Sequence, residues 1–279
     1  MLPQDSVSEL SVPPVLYKYA FWDESDDIHA FRHKILTVPQ IYFTAPSMFN
    51  DPFDCQLSLG LESKSNREII DYLKTRSYAD EETLERVQNW LKIDRNKWID
   101  TINDADFLRK DSNCGLFCTS AVSTNSLLWS HYAGGHKGFS VGLNAQYLIR
   151  HLESLCNKRG FILEHFEVEY RKELPDLEPF LEDNREWFLQ RFRYKASDWS
   201  YEQEYRFLLM KDLDLENPER VVQIPPECIS EVILGCKLDD TTKAEIMESI
   251  EKLRQGNPRI KLLRAVKSKK RYEYELEAI

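Results

Sequence analysis

Between Trp199 and Arg206 the chain reads W-S-Y-E-Q-E-Y-R, with Glu202, Glu204 and Arg206 at every second position. On an extended strand, residues two apart share a face. Two carboxylates and a guanidinium then take one face, and Tyr201, Gln203, Tyr205 and Phe207 take the other. Paired acids in fixed register can do complementary work: one stabilises a developing cation, the other orients or deprotonates a nucleophile. A solvated salt-bridge ladder would use the same residues. The flanking Trp199, Tyr201 and the apolar run after Arg206 point instead to partial burial. There a carboxylate is costly without a partner or a task.

Two further stretches carry chemistry. In WSHYAGGHKG (129–138), Trp129 and Tyr132 stand three apart and share one face of a helix. That face is either core or a slot for a flat cationic heterocycle, and His136 and Lys137 fall at the glycine-rich turn. In FNDPFD (49–54), Pro52 forces Asp51 out of the helical region. Phe49 and Phe53 can pin this loop as an Asx turn, or Asn50 and Asp51 can line a site. His29 and His33 have helical spacing but lack the acid of an HExxH zinc motif, so they read as packing. No glycine-rich dinucleotide loop or P-loop is present. The six cysteines contain no CxxC pair, and Cys114 and Cys118 have no second pair at zinc-finger distance; reduced core thiols and no metal are expected.

The elements that must position these residues alternate irregularly. Strands are expected at VLYKYAFW (15–22), QIYFTA (40–45), GLFCTS (115–120), GFSVGL (138–143), FILEHFEVEY (161–170) and YEQEYRFLLM (201–210), then at RVVQIP, ISEVILG, IKLLRAV and YEYELEA. Helices are expected after Asp26 and Asp27, over 66–110, at SLLWSHYA behind the capping candidates Ser123, Thr124 and Asn125, and at AQYLIRHLESLCNK, EPFLEDNREWFLQRFRYK and TKAEIMESIEKLRQ. Most strands lack crossover helices between them, which favours an α+β fold.

With 42% hydrophobic residues the chain can bury a substantial core. No run approaches the roughly 18 apolar residues of a membrane span, and MLPQDSVSEL lacks the pattern of a signal peptide. A cytoplasmic protein without a membrane partner is expected. The net charge of −10 argues against tight non-specific nucleic-acid binding but not against a local groove. The basic run KSKKR (267–271) reads as a hairpin turn.

LYKY (16–19), FNDPFD, FCTS followed by LLWSHYAGGHKG, the W-x-x-E-x-E-Y-R of Trp199 to Arg206, and ISEVILG (229–235) occur in this order. Together they resemble, over about 15–240, a bacterial family of domains of formerly unknown function found in defence and toxin contexts. That family is similar to a divergent branch of the ADP-ribosyltransferase superfamily. The resemblance implies a single catalytic domain over 1–279 with a split mixed β-sheet and a helical insertion at about 61–112. It implies NAD as co-substrate and a macromolecular acceptor (RNA, DNA or protein), with a neutralising antitoxin as a further partner. It implies Glu204 as catalytic acid and Glu202 as its acceptor-orienting companion. Lys18 takes the place where such enzymes carry His or Arg, and Thr119 and Ser120 fit the second motif. Tyr17, Trp129, Tyr132 and Asn50 complete the expected NAD contacts. Two rival readings are a hydrolase using His131, His136 and the paired glutamates, and a non-enzymatic partner-binding module on a degenerate transferase fold.

Overall fold

A computed structural model describes residues 12–22, 31–76, 79–175, 177–180 and 184–279. The chain runs through β1 (Val15–Ala20), α1 (Phe31–Thr37), β2 (Gln40–Tyr42), α2 (Asn66–Lys74), α3 (Glu81–Ile93), α4 (Arg95–Asn113) and β3 (Cys114–Ser120). Next come α5 (Ser126–Tyr132), β4 (Phe139–Asn144), α6 (Ala145–Arg159), β5 (Ile162–Glu167), β6 (Glu169–Arg171), α7 (Asn184–Arg193) and β7 (Tyr194–Ala196). The last part holds β8 (Glu204–Met210), β9 (Val221–Gln223), β10 (Ile229–Leu234), α8 (Asp240–Gly256), β11 (Lys261–Lys267) and β12 (Tyr274–Ala278). This is an α+β protein. The helix start expected at Asp26 and Asp27 lies outside the described residues, as does His29.

The chain divides into two compact units. The first comprises Met1–Thr44, Gly115–Glu167 and Ser200–Ile279. Among its described residues, eight strands form a mixed sheet in the order β12-β11-β10-β4-β1-β3-β8-β5. β1 pairs with β4 along its whole length, from Val15↔Asn144 to Ala20↔Phe139, but its pairing with β3 is confined to Tyr17↔Ser120. Strand alternation sorts side chains onto two faces. Leu16 and Ala20 of β1, Phe139, Val141 and Leu143 of β4, and Tyr205, Phe207 and Leu209 of β8 join one core. α6 covers it with Leu148, Leu152 and Cys156, and α8 with Ile246, Ile250 and Leu253, the three- and four-residue stripes their sequences carry. Burying each such aliphatic side chain contributes roughly 1.5–3 kcal/mol. On the opposite face Tyr19 and Ile233 pack with Leu128 and Trp129 of α5. β11 and β12 form the expected hairpin across the basic turn, where Ser268 N donates to Glu273 O (3.1 Å).

The second unit comprises Ala45–Cys114 and Val168–Trp199. The helices of the segment expected at 61–112 lie within it. Ser65 and Glu68 form a reciprocal capping box at the start of α2, and Asp80 and Asp94 cap α3 and α4. Ile69, Ile70, Leu91, Trp98 and Ile99 form its core. Buried ion pairs join Asp106 to Arg191 and Asp54 to Lys195. β6 and β7 pair in parallel.

Three expectations are corrected. FILEHFEVEY is not one strand: it breaks at Val168 into β5, paired with β8, and β6, paired with β7. Helix α7 spans Asn184–Arg193, while Glu178 and Phe180 lie outside any helix and Tyr194 and Lys195 belong to β7. YEQEYRFLLM is a strand only from Glu204; Ser197–Glu202 is a 3-10 turn. No helix among the described residues is long and apolar enough to cross a membrane, and the six cysteines form no disulfide.

Candidate functional site

The two acids reach the site by a route that simple alternation did not anticipate. Glu202 ends the 3-10 turn, Gln203 adopts a left-handed backbone (φ 42°), and β8 begins at Glu204. A left-handed conformation costs a non-glycine residue roughly 1–2 kcal/mol, so the turn is held by other bonds. Ser120 Oγ donates to Glu202 O (2.6 Å), Ala121 N donates to Gln203 O (2.9 Å), and Thr119 Oγ1 donates to Tyr205 O (2.8 Å). The Thr119 and Ser120 hydroxyls are thus engaged with the backbone that carries the acids; they position the site rather than face a ligand.

Both carboxylates are buried, Glu202 to 4% exposure and Glu204 to 6%. Arg206, fully buried, grips Glu204 through Nε to Oε1 (2.8 Å) and Nη2 to Oε2 (2.9 Å). This two-toothed contact fixes the orientation of the carboxylate as well as its charge. The Cys118 thiol hydrogen-bonds to the same carboxylate, and burial pushes its pKa well up. Glu202 Oε1 accepts from the Tyr132 hydroxyl at 2.5 Å. The Tyr132 hydroxyl is thus given to the acid.

Lys18 sits where β1 and β3 meet at a single pair. It is half-buried, its ammonium donates to Cys118 O (2.9 Å), and it lies 5.1 Å from the centre of the Phe117 ring. Burial pulls its pKa below the ordinary lysine value, opposed by the Cys118 sulfur and by the Glu204 and Glu202 carboxylates. An ordinary exposed cation this is not.

Tyr17 projects to the α5 face and donates to Glu231 Oε1 (2.9 Å). Burial, then the Glu231 charge, push its phenol up to about 12. Sequence reading missed Glu231, because an acid inside ISEVILG looks like the polar beat of an alternating strand. Trp129 is fully buried: its Nε1 donates to Ser123 O (2.9 Å) and its ring meets Tyr19 edge-on at 5.2 Å. Its face is occupied by core, so it packs rather than forming a slot. Asn50 is an exposed residue of the second unit, next to an Asx turn in which Asp51 Oδ1 accepts from Phe53 N (2.9 Å).

In the first unit the structure therefore brings together Lys18, Glu202, Glu204, Arg206, Cys118 and Tyr132. Residues 128–207 match a family model described as a protein of unknown function (DUF2971). The matched segment begins at the second residue of the Leu127–Trp129 run and ends just past Arg206. It contains Tyr132, both acids and Arg206, while Lys18, Tyr17, Thr119, Ser120 and Asn50 fall outside it, so it is narrower than the expected 15–240. No curated protein and no solved structure matches the chain. His131 and His136, the pair of the hydrolase reading, are placed differently: His131 lies 6.3 Å from the Tyr201 ring, and His136 Nδ1 bonds the Tyr274 hydroxyl (2.8 Å). Among the described residues no group of three or more His, Cys, Asp or Glu could hold a metal ion.

Proposed function

We propose that this chain is an NAD-dependent ADP-ribosyltransferase of the toxin or antiphage-defence kind, acting on a macromolecule and releasing nicotinamide. The observation that carries this reading is the pair of buried acids beside a half-buried lysine, at the point where the sheet opens between β1 and β3. Burying two carboxylates costs several kcal/mol unless each is paired or employed. Such clusters are commoner at working sites than in plain cores.

The chemistry assigns each group a task. The bond between nicotinamide nitrogen and ribose C1′ breaks, and its electron pair leaves with nicotinamide. The ribose becomes oxocarbenium-like, and Glu204, oriented by Arg206, opposes that positive charge through a ribose hydroxyl. An acceptor oxygen or nitrogen then bonds C1′ and yields its proton to Glu202. Lys18 offers NAD a compact point charge where β1 and β3 part. Tyr132 holds Glu202 in place and offers its ring to nicotinamide.

A second reading rests on a specific observation. Both acids already have protein partners, Arg206 on Glu204 and Tyr132 on Glu202. A non-enzymatic module that keeps these contacts for stability would look the same. One incubation separates the two: purified protein, NAD and cell extract, followed for nicotinamide release and for label on RNA, DNA and protein. Release that depends on Glu204 supports the transferase; none, from a folded protein, supports the module.

A further inference from the structure

The two acids stand at one end of a row that crosses four strands. Glu231 partners Gly142, Gly142 partners Tyr17, Tyr17 partners Ser120, and Ser120 holds the Glu202 carbonyl. At the far end, resting on the transferase reading above, we propose that Glu231 and Tyr17 form a subsite for a vicinal diol. The diol is the ribose on the adenosine half of NAD, and the subsite selects NAD over its 2′-phosphorylated form.

Three features of the fold build this subsite. The first is a bulge. Ile229 faces Leu143 and Glu231 faces Gly142, so two steps on β10 match one on β4. Ile229, Val232 and Leu234 all enter the core beneath α6 and α8. Uninterrupted alternation from Ile229 would send Glu231 into that core too; the extra residue turns it to the α5 face instead. Bulges commonly re-aim a side chain in this way beside active sites.

The second is Gly142. A Cβ there would stand 2.6 Å from Glu231 Cγ and 3.2 Å from Tyr17 Cε1. Its absence lets the phenol lie across the strand and reach the carboxylate. The third is the state of that carboxylate. Oε1 accepts from Tyr17, whereas Oε2 has no protein donor among the described residues. A carboxylate held at one oxygen by Tyr17, with no protein donor on the other, can accept from the adjacent hydroxyls of a diol. The same chemistry recognises the ribose of dinucleotides on other folds.

Spacing and charge complete the case. Three strand intervals separate Glu231 from Ser120, about 14 Å at the usual inter-strand distance, and Glu202 lies one hydrogen bond beyond. An extended dinucleotide spans such a stretch with its reactive ribose at Glu204 and its other ribose at Glu231. A 2′-phosphate would place like charges together in a site with only 9% exposure at Glu231, which disfavours the phosphorylated cofactor.

The test is calorimetric titration of the purified chain with ADP-ribose and with 2′-phospho-ADP-ribose, using wild type, Glu231→Gln and Tyr17→Phe. Wild type should bind ADP-ribose at least about tenfold more tightly than the phosphorylated form. Glu231→Gln should lose about tenfold for ADP-ribose, the effect of one hydrogen bond to a charged group, and most of the discrimination. Tyr17→Phe, which keeps the charge, should weaken ADP-ribose yet retain discrimination. Unchanged ADP-ribose affinity in Glu231→Gln, or no binding to the folded wild type, overturns the subsite. Nicotinamide release from NAD is followed separately in the same samples. Binding through Glu231 without release rejects the transferase and keeps the subsite; release indifferent to Glu231 does the reverse.

Discussion

Arg206 holds both oxygens of Glu204, and that contact sets what each substitution at the site should do. Glu204→Gln preserves size and one acceptor while removing the charge that opposes the oxocarbenium ion. Turnover should fall about 100-fold or more, the scale for one preorganised electrostatic group. A rate of nicotinamide release near that of wild type would remove Glu204 from the mechanism. Trp129 and Tyr132, neighbours on α5, should part company. Trp129→Ala opens a cavity in a filled core and should cost about 3–5 kcal/mol in urea unfolding. Tyr132→Phe deletes only the hydroxyl that Glu202 accepts; it should fold normally and lose acceptor transfer more than bare NAD hydrolysis. Equal effects on both activities would mean that the Tyr132–Glu202 bond serves the structure alone.

At the scale of elements, the second unit supplies a pH prediction. Lys110 on α4 is buried and shares Asp106 with Arg191 of α7. Burial, then the Arg191 charge, lower its pKa from 10.5 to about 8. Between those values the unfolded chain keeps a proton that the folded chain has released, so stability rises with pH through this window and is lost as pH falls through 8. The stability of wild type minus that of Lys110→Met should therefore climb by up to roughly 3 kcal/mol from pH 7.5 to 10.5. Urea titrations across that range measure it, and a flat difference would contradict the burial. Much at this scale was legible beforehand. The 3.6-residue stripe of α6, the Asn125 cap of α5 and the KSKKR hairpin are local signals, and the structure contains all three. What escaped depended on partners far along the chain. Local pattern cannot tell that 162–167 pairs with β8 while 169–171 pairs with β7, nor that a bulge at Ser230 reverses the parity of Glu231. The acids were found by their spacing, but the turn at Gln203 that delivers them was not. Three bonds from Ser120, Ala121 and Thr119 hold it, and none of these has a sequence signature.

At the scale of the whole molecule, α+β character could be read from the irregular order of strands and helices, whereas the make-up of the second unit could not. A helical stretch near 61–112 stands out, yet 168–199 joins it only through long-range pairs such as Asp106–Arg191 and Asp54–Lys195. Charge, by contrast, is a property of composition and gives the broadest prediction. With 47 acids against 37 bases the chain carries −10, so a nucleic-acid acceptor meets net repulsion before it meets the site. Basic binders reach non-specific dissociation constants of about 10⁻⁴ to 10⁻⁶ M by releasing counterions from phosphates. This protein lacks the surplus of cations for that term and should bind random-sequence RNA or DNA more weakly than about 10⁻⁴ M at physiological salt. If the acceptor is a nucleic acid, it must then be recognised through a local structure or sequence, and modification should concentrate at few positions. Fluorescence anisotropy with random RNA and DNA over a salt series decides the point. Micromolar binding with a log–log salt slope steeper than about −4 would require several phosphate contacts, and so a basic surface that overrides the net charge.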